Sequence, residues 1–300
     1  MDRFDAIRTL LAAVDGGSLS AASRKLGMPL PTVSRKVSEL EAHLGTQLVV
    51  RTSRKLLLTD AGGAFVAAGR RVLEDLDQAE RAAAGEYQTP RGELLVTAPI
   101  MFGKIHVMPI VLAFLAAYRD VNVRIVLADH VIDLADNHVD IAVRIGRLPD
   151  SGLVATRVGD IHWVICASPD YLAARGVPDT PDDLARHDCI GFEGLQPVRL
   201  WPFGPQAETI AIQPRFSANT ADAVIEAAVA GIGIARLTSY QAAKAIREGK
   251  LVSLLRGHAP RVLPVHLVHT GPSPLPLKMR AFLDFAAPRL KASLIHIANI

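Results

Sequence analysis

The sequence predicts a multidomain chain: an all-α-rich headpiece closed by a short hairpin, a long linker helix, and then an α/β domain. Three observations carry this. Apolar residues repeat at helical spacing through the first 45 residues, where Gly and Pro cut the run into three short helices. A longer, strongly charged helical pattern follows over residues 60–86. From residue 90 onward, strand and helix patterns alternate.

At 300 residues, half of them hydrophobic, the chain has room for two or three domains with sizeable cores. Met1-Asp2-Arg3-Phe4-Asp5 runs straight into an amphipathic pattern with no export signal, and no apolar run of about 18 residues is evident. A cytoplasmic protein with no membrane partner is expected. Two cysteines, Cys166 and Cys189, are too few for a disulfide scaffold. The formal charge of +3 is unevenly placed. Residues 1–60 hold nine Lys/Arg against six Asp/Glu, while the remaining residues balance at 24 of each. Seven basic residues between 16 and 59 face only Glu39 and Glu41, a footprint suited to a polyanion or to a solvated charged face.

The first helix is expected over residues 3–14, with Phe4, Ile7, Leu10, Leu11 and Val14 inward and Gly16-Gly17 as its stop. Ser18 caps a second helix over 19–26, which Gly27 ends. A third starts near Pro31 and runs to Leu44, with Val33, Val37, Leu40 and Leu44 inward. Thr32, Ser34, Arg35, Lys36, Ser38 and Glu39 form its outer face. Two short apolar runs, 47–50 and 56–58, flank Arg51-Thr52-Ser53-Arg54-Lys55, a hairpin with a basic tip. Two helices joined by a tight turn, with a basic second helix and a basic wing, make a winged helix-turn-helix. Its second helix fits the DNA major groove, where base edges distinguish all four pairs.

The residues from Ser18 to Gly27, then Pro31-Thr32-Val33-Ser34-Arg35-Lys36-Val37-Ser38-Glu39-Leu40-Glu41, then Leu44-Gly45-Thr46-Gln47-Leu48, resemble the DNA-binding signature of LysR-type transcriptional regulators. Arg51-Thr52-Ser53-Arg54 and Leu58-Thr59-Asp60-Ala61-Gly62 are similar to that family's wing and its entry into the linker helix. In one place the chain departs: Pro29-Leu30 stand where the family usually has a Ser-Gln pair. The resemblance implies a DNA-binding regulator of transcription, with double-stranded DNA carrying a two-fold operator as one partner. It makes Ser18, Ser20, Pro31, Thr32, Ser34, Arg35, Lys36, Ser38, Arg51, Arg54 and Lys55 the candidate DNA-binding residues.

Residues 60–86, capped by Thr59, place Phe65, Val72, Leu76, Ala79 and Ala83 near heptad spacing. One more core helix would read the same way. In the family this linker helix dimerises the protein, so a homodimer or homotetramer is implied. Residues 88–92 read as a hinge. The remaining alternation predicts strands at 93–98, 121–128, 140–145, 163–167, 189–192, 232–235 and 262–269, and helices at 104–117, 169–175, 181–187, 219–230, 240–248 and 277–290. Gly92-Glu93-Leu94, Thr97-Ala98-Pro99 and residues 140–146 resemble the family's effector domain, whose two lobes are like those of periplasmic solute-binding proteins. The implied organisation is a headpiece over 1–59, a linker over 60–88 and an effector domain over 89–300. Lobe one takes 91–163 and 269–300, and lobe two takes 164–268.

No enzyme signature emerges. There is no G-x-S-x-G elbow, and Gly231-Ile232-Gly233-Ile234-Ala235 lacks the lysine of a phosphate loop. His266 and His269 would face opposite sides of one strand, and Asp133, Asp136, His138 and Asp140 read as solvated loop ends, so neither a catalytic site, a metal nor a cofactor is expected. Cys166 lies in an apolar run and Cys189 follows His187-Asp188; a redox-responsive regulator using either thiol is the alternative to a ligand-responsive one.

Ligands of open α/β sheets bind beyond the carboxyl ends of strands, beside helix N-termini. That rule selects Pro99, Ile100, Met101 and Phe102 after the first strand, and Gly146 and Arg147 after the third. In lobe two it selects Asn219 and Thr220 at a helix start, and Gly233 and Ile234 on a strand. The family lines its interlobe cleft there. The mixture suits a small, largely apolar effector carrying a carboxylate or carbonyl, with Arg147 as the one evident cation; Ile100, Met101 and Phe102 would equally serve as plain core.

Overall fold

The computed structural model describes residues 2–51, 56–83, 89–193, 198–204, 208–258, 262–271 and 275–295. The chain divides into two compact units, Met1–Gln88 and Thr89–Ile300.

In the first unit, α1 (Arg3–Asp15), α2 (Leu19–Leu26) and α3 (Leu30–Leu44) are followed by a hairpin of β1 (Val49–Arg51) and β2 (Leu56–Leu58), then α4 (Asp60–Ala83). Asp2 and Ser18 cap α1 and α2, Ser18 accepting from the Ala21 N–H at 3.1 Å. Gly27 closes α2 in the left-handed region at φ 63°, a conformation that costs a side chain but not glycine. The inward stripes of α1 and α3 meet in a core of Ala6, Leu10, Val37, Leu40 and Leu48. Leu44, expected in that stripe, is exposed at the helix end.

The first turns of α4 are built into this core, not set aside for a seam. Val66 is buried there, and Phe65 and Leu73 pack against it. Gly62 explains the Leu-Thr-Asp-Ala-Gly run: a Cβ at this position would stand 1.9 Å from the Leu48 carbonyl oxygen. Thr59 secures the same junction, its Oγ1 donating to the Gln47 carbonyl at 2.7 Å and accepting the Gly62 N–H at 2.9 Å. The expected heptad stripe is therefore split. Phe65 faces the headpiece, Val72 is exposed and Leu76 half-buried, while the side chains of Ala79 and Ala83 lie outside the described ones.

The second unit contains two five-stranded sheets. Lobe one holds β3 (Gly92–Ala98), a helical run α5 (Ile100–Ala117), β4 (Val121–Leu127), β5 (Ile141–Ile145) and β6 (Leu153–Ile161). The chain then crosses at His162 into lobe two: β7 (Trp163–Ala167), α6 (Pro169–Arg175), a 3-10 turn at Pro181–Arg186, β8 (Cys189–Phe192), a small hairpin of β9 (Leu200–Phe203) and β10 (Glu208–Ala211), β11 (Pro214–Ala218), α7 (Ala221–Val229), β12 (Ile234–Thr238), α8 (Ser239–Arg247) and β13 (Val252–Leu254). It returns as β14 (Leu263–Thr270) and α9 (Leu277–Ile295). The sheet orders are β4-β3-β5-β14-β6 and β11-β8-β12-β7-β13.

Because β14 pairs along its length with β5 and β6, the return crossing precedes Leu263, and the expected lobe boundary at 268 is corrected accordingly. The edge strand β6 and the strands β9, β10, β11 and β13 were not expected from the sequence.

The helix expected at 104 begins at Ile100. It carries one widened π turn at Gly103–Val107 before continuing from Met108. By length and apolar composition this run would suffice to cross a membrane, which corrects the expectation that no such run exists. Here it is a core helix: Phe102, Ile110, Val111 and Phe114 are buried against Leu94, Val96, Val265 and Phe282. Tyr240 of α8, a lobe-two residue, is buried in this same lobe-one core.

A DNA-reading face and an interlobe cavity

The outer face of α3 is set by what lies beneath it. Val33, Val37 and Leu40 are buried, which turns Arg35, Ser38 and Glu39 to solvent. The Arg35 side chain is 70% exposed, with only a 3.9 Å contact to Glu39 one turn on. Thr32 and Ser34 are half-buried beside it, and Pro31 and Ser20 are exposed. Lys36 departs from the expectation of an outward basic residue. Its amine pairs with Asp5 of α1 and its side chain is only 21% exposed, so it fastens α3 to α1. Ser18 likewise acts as a helix cap. Pro29 leads into α3 without any side-chain cap, and Leu30 is exposed. Glu41 holds the wing: its Oε1 accepts the Leu48 and Val49 N–H groups at 2.9 and 3.1 Å. Arg51 ends β1, with its side chain outside the described ones, and Arg54 and Lys55 lie outside the described residues.

In the second unit, residues from both lobes line a cavity of about 570 Å³. Lobe one contributes Pro99, Asp129, Gly146 and Arg147 among others, and lobe two Trp163, Phe192, Trp201, Arg236 and Tyr240. Of the residues selected by position, Pro99, Gly146 and Arg147 come together here, Arg147 exposed at the rim. The other seven do not line it. Ile100 opens α5, donating its N–H to Asp129 Oδ1 at 2.9 Å, while Met101 and Phe102 pack into the lobe core. Asn219 and Thr220 precede α7 away from the cavity lining. Gly233 and Ile234 are interior: a Cβ on Gly233 would lie 2.4 Å from the Asp188 carbonyl oxygen, and Ile234 is fully buried. The rule missed because α5 starts at Ile100 itself, and because β12 runs to Thr238, so its exit delivers Arg236 and Thr238.

Arg236 is the feature sequence reading did not find. It is 5% exposed, with its guanidinium carbon 4.1 Å from the centre of the Trp163 ring. Burial pulls its pKa down to about 10, still well above neutrality, so the cavity wall holds a buried cation. Burial also raises the Asp129 carboxyl above its ordinary range, against the pull of the Ile100 N–H. The signal available was a charge inside the otherwise apolar run Ile234-Ala235-Arg236-Leu237.

His106, in the π turn, is buried, its ring tilted against Phe102 with centroids 4.8 Å apart, while Phe102 meets Tyr240 edge-on at 5.3 Å. His106 Nδ1 lies 2.8 Å from Ser293 Oγ of α9, and burial lowers its pKa to about 4. Both cysteines are buried, with pKa values pushed up to about 12 by burial. Cys189 and Cys166 pair with Ile234 and Ala235, on opposite sides of β12 and on opposite faces of the sheet. Two strand spacings, about 9.6 Å, exceed disulfide reach. Among the described residues no group of three metal-ligating side chains occurs.

A winged helix-turn-helix followed by a two-lobed cavity domain defines a one-chain DNA-binding regulator. Residues 4–63 match the family model for the bacterial regulatory helix-turn-helix protein, lysR family, and residues 87–291 match that for the LysR substrate binding domain. The chain belongs to the LysR family of transcriptional regulators. It is 32% identical over 286 residues to the regulator CrgA of Neisseria meningitidis, covering 95% of this chain and 96% of that one. It is 34% identical over 278 residues to PtxR of Pseudomonas aeruginosa, covering 91% and 88%. The CrgA structure superposes with TM-score 0.61 at 31% identity, over 95% of this chain and 98% of CrgA. Full-length AphB of Vibrio cholerae gives 0.59 at 27%, over 95% and 98%.

Proposed function

We propose that this regulator binds its operator through α3 and the wing, and that a small molecule in the interlobe cavity modulates that binding. Arg35 and Ser38 would meet base edges, with Thr32 and Ser34 beside them, and the wing's Arg51, Arg54 and Lys55 the phosphates. Lys36 and Ser18 would support this face from behind. The observation that carries the effector reading is the cavity itself, walled from both lobes and holding the buried Arg236. A ligand touching both lobes stabilises one lobe arrangement by the difference in its affinity for the two. The exposed Val72 and the half-buried Leu76 of α4 would join two copies, giving the two heads a two-fold site requires. Action on DNA supports a cytoplasmic location, and the reading calls for no catalytic step, cofactor or membrane. The alternative redox reading is disfavoured by two thiols held protonated and out of each other's reach. A thermal-shift screen of metabolites, repeated on Ile145→Trp to fill the cavity, tests the proposal. Hits that survive the substitution would place the effector elsewhere.

A further inference from the structure

The cavity has an uneven chemistry. Phe192, Trp201, Val262 and Leu263 give it apolar walls. Both tryptophans of the chain, Trp163 and Trp201, line it. Among its described lining residues are two cations, Arg236 and Arg147, and one carboxylate, Asp129. Asp129 is committed on one oxygen to the first turn of α5. The cations differ in kind: Arg147 is exposed at the rim, whereas Arg236 is buried over the Trp163 indole. A guanidinium set over an indole keeps its fork of N–H donors in its own plane, and that fork matches the two oxygens of a carboxylate. The aromatic walls beside it favour a flat apolar body. Charges of +2 and −1 around the wall complement a monoanion, and a doubly charged phosphate would meet Asp129 across the same chamber.

We propose that the cavity selects a planar aromatic monocarboxylate, its carboxylate on Arg236 and its ring against the Trp201 and Phe192 walls. This rests on the cavity being the effector site and adds the class of effector. The two tryptophans make occupancy directly visible, because no tryptophan lies elsewhere.

The test uses full-length protein, tryptophan emission, and four probes: benzoate, benzamide, cyclohexanecarboxylate and phenyl phosphate. Benzoate should perturb the emission and bind at least about tenfold tighter than benzamide or phenyl phosphate, equivalent to about 1.4 kcal/mol. Cyclohexanecarboxylate should bind more weakly than benzoate. Arg236→Gln should bring the benzoate-to-benzamide ratio close to one, and Arg236→Lys, which keeps the charge without the fork, should restore part of it. Near-UV circular dichroism checks that both variants fold; if neither does, the ratios in the unaltered protein decide. Benzamide binding as tightly as benzoate, phenyl phosphate binding more tightly, or no emission change with any probe at tens of millimolar would each overturn the carboxylate class. Calorimetric binding of benzoate that leaves both tryptophans unperturbed would overturn the cavity reading as well.

Discussion

Gly62 and Gly63 are neighbours in the first turns of α4, and the structure gives them opposite responses to the same substitution. A methyl at Gly62 would stand 1.9 Å from the Leu48 carbonyl oxygen, while at Gly63 it meets nothing within 4 Å. Real Cβ contacts stay beyond 3.0 Å, so the Leu48 backbone and α4 must part by at least about 1.1 Å. Leu48 is not free to move: its N–H is bonded to Glu41 and its carbonyl to the Thr59 N–H at 3.0 Å. Overpacking of this kind costs about 1–3 kcal/mol, and a lost bond to the Glu41 carboxylate adds about 1.5–3. Helix propensity returns up to about 1 kcal/mol. Gly62→Ala should therefore destabilise the headpiece by about 1.5–6 kcal/mol, and Gly63→Ala should stabilise it by up to about 1. Calorimetry of the full-length protein reads this in the headpiece transition, at about 4–8 °C per kcal/mol for a unit of this size. Since Leu48 leads into the wing strand, duplex binding should weaken in Gly62→Ala alone. Equal stability of the two variants would show that the junction between α4 and the wing yields without cost.

Arg35→Ala should cost about 1–3 kcal/mol of operator affinity in fluorescence anisotropy, and Arg54→Ala should lower the salt dependence by about one unit; unchanged binding in both would remove the reading face from α3 and the wing. Leu76→Asp should yield monomers by light scattering, because two carboxylates would be forced into an apolar seam; a persisting dimer would move the seam elsewhere. The low pKa of buried His106 means that the unfolded chain binds the proton more readily. Its contribution to stability is thus complete above about pH 6.5 and is lost as pH falls towards 4, up to about 3 kcal/mol. His106→Phe should flatten that acid limb in urea titrations, and an unaltered limb would assign it to other groups. Native-state alkylation should leave Cys166 and Cys189 largely unmodified at pH 8.

The three helices of the headpiece were legible to within a residue or so at each end, because they are short and bounded by Gly and Pro, so local chemistry sets each end. Where three-dimensional packing decides, pattern reading went astray. Lys36 reads as one more outward base until Asp5 of α1 is brought against it. Phe65 fits a heptad yet belongs to the headpiece core. The edge strand β6 was invisible because only β14 pairs with it, and its run of four exposed residues, Val154 to Arg157, shows no alternation. The cavity suffered most: a shift of a few residues in where α5 begins and β12 ends moved five of the ten chosen residues off its wall, and Asn219 and Thr220, before α7, do not line it either. Arg236 belongs to a buried strand, where a charge carries no hint of its neighbour Trp163 until the sheet is assembled.

Tyr240 lines the cavity from lobe two, yet its ring sits in the lobe-one core against Phe102, which abuts His106 and through it Ser293 of the last helix. This chain of contacts has a genetic consequence. If the cavity is the effector site, a selection for alleles that act without effector should return changes at Phe102, His106 and Ser293, positions outside the cavity lining. Each would mimic occupancy by relaxing the packing behind Tyr240. Effector-independent alleles would then trace a line from the cavity wall to the carboxyl-terminal helix, and would not ring the cavity itself.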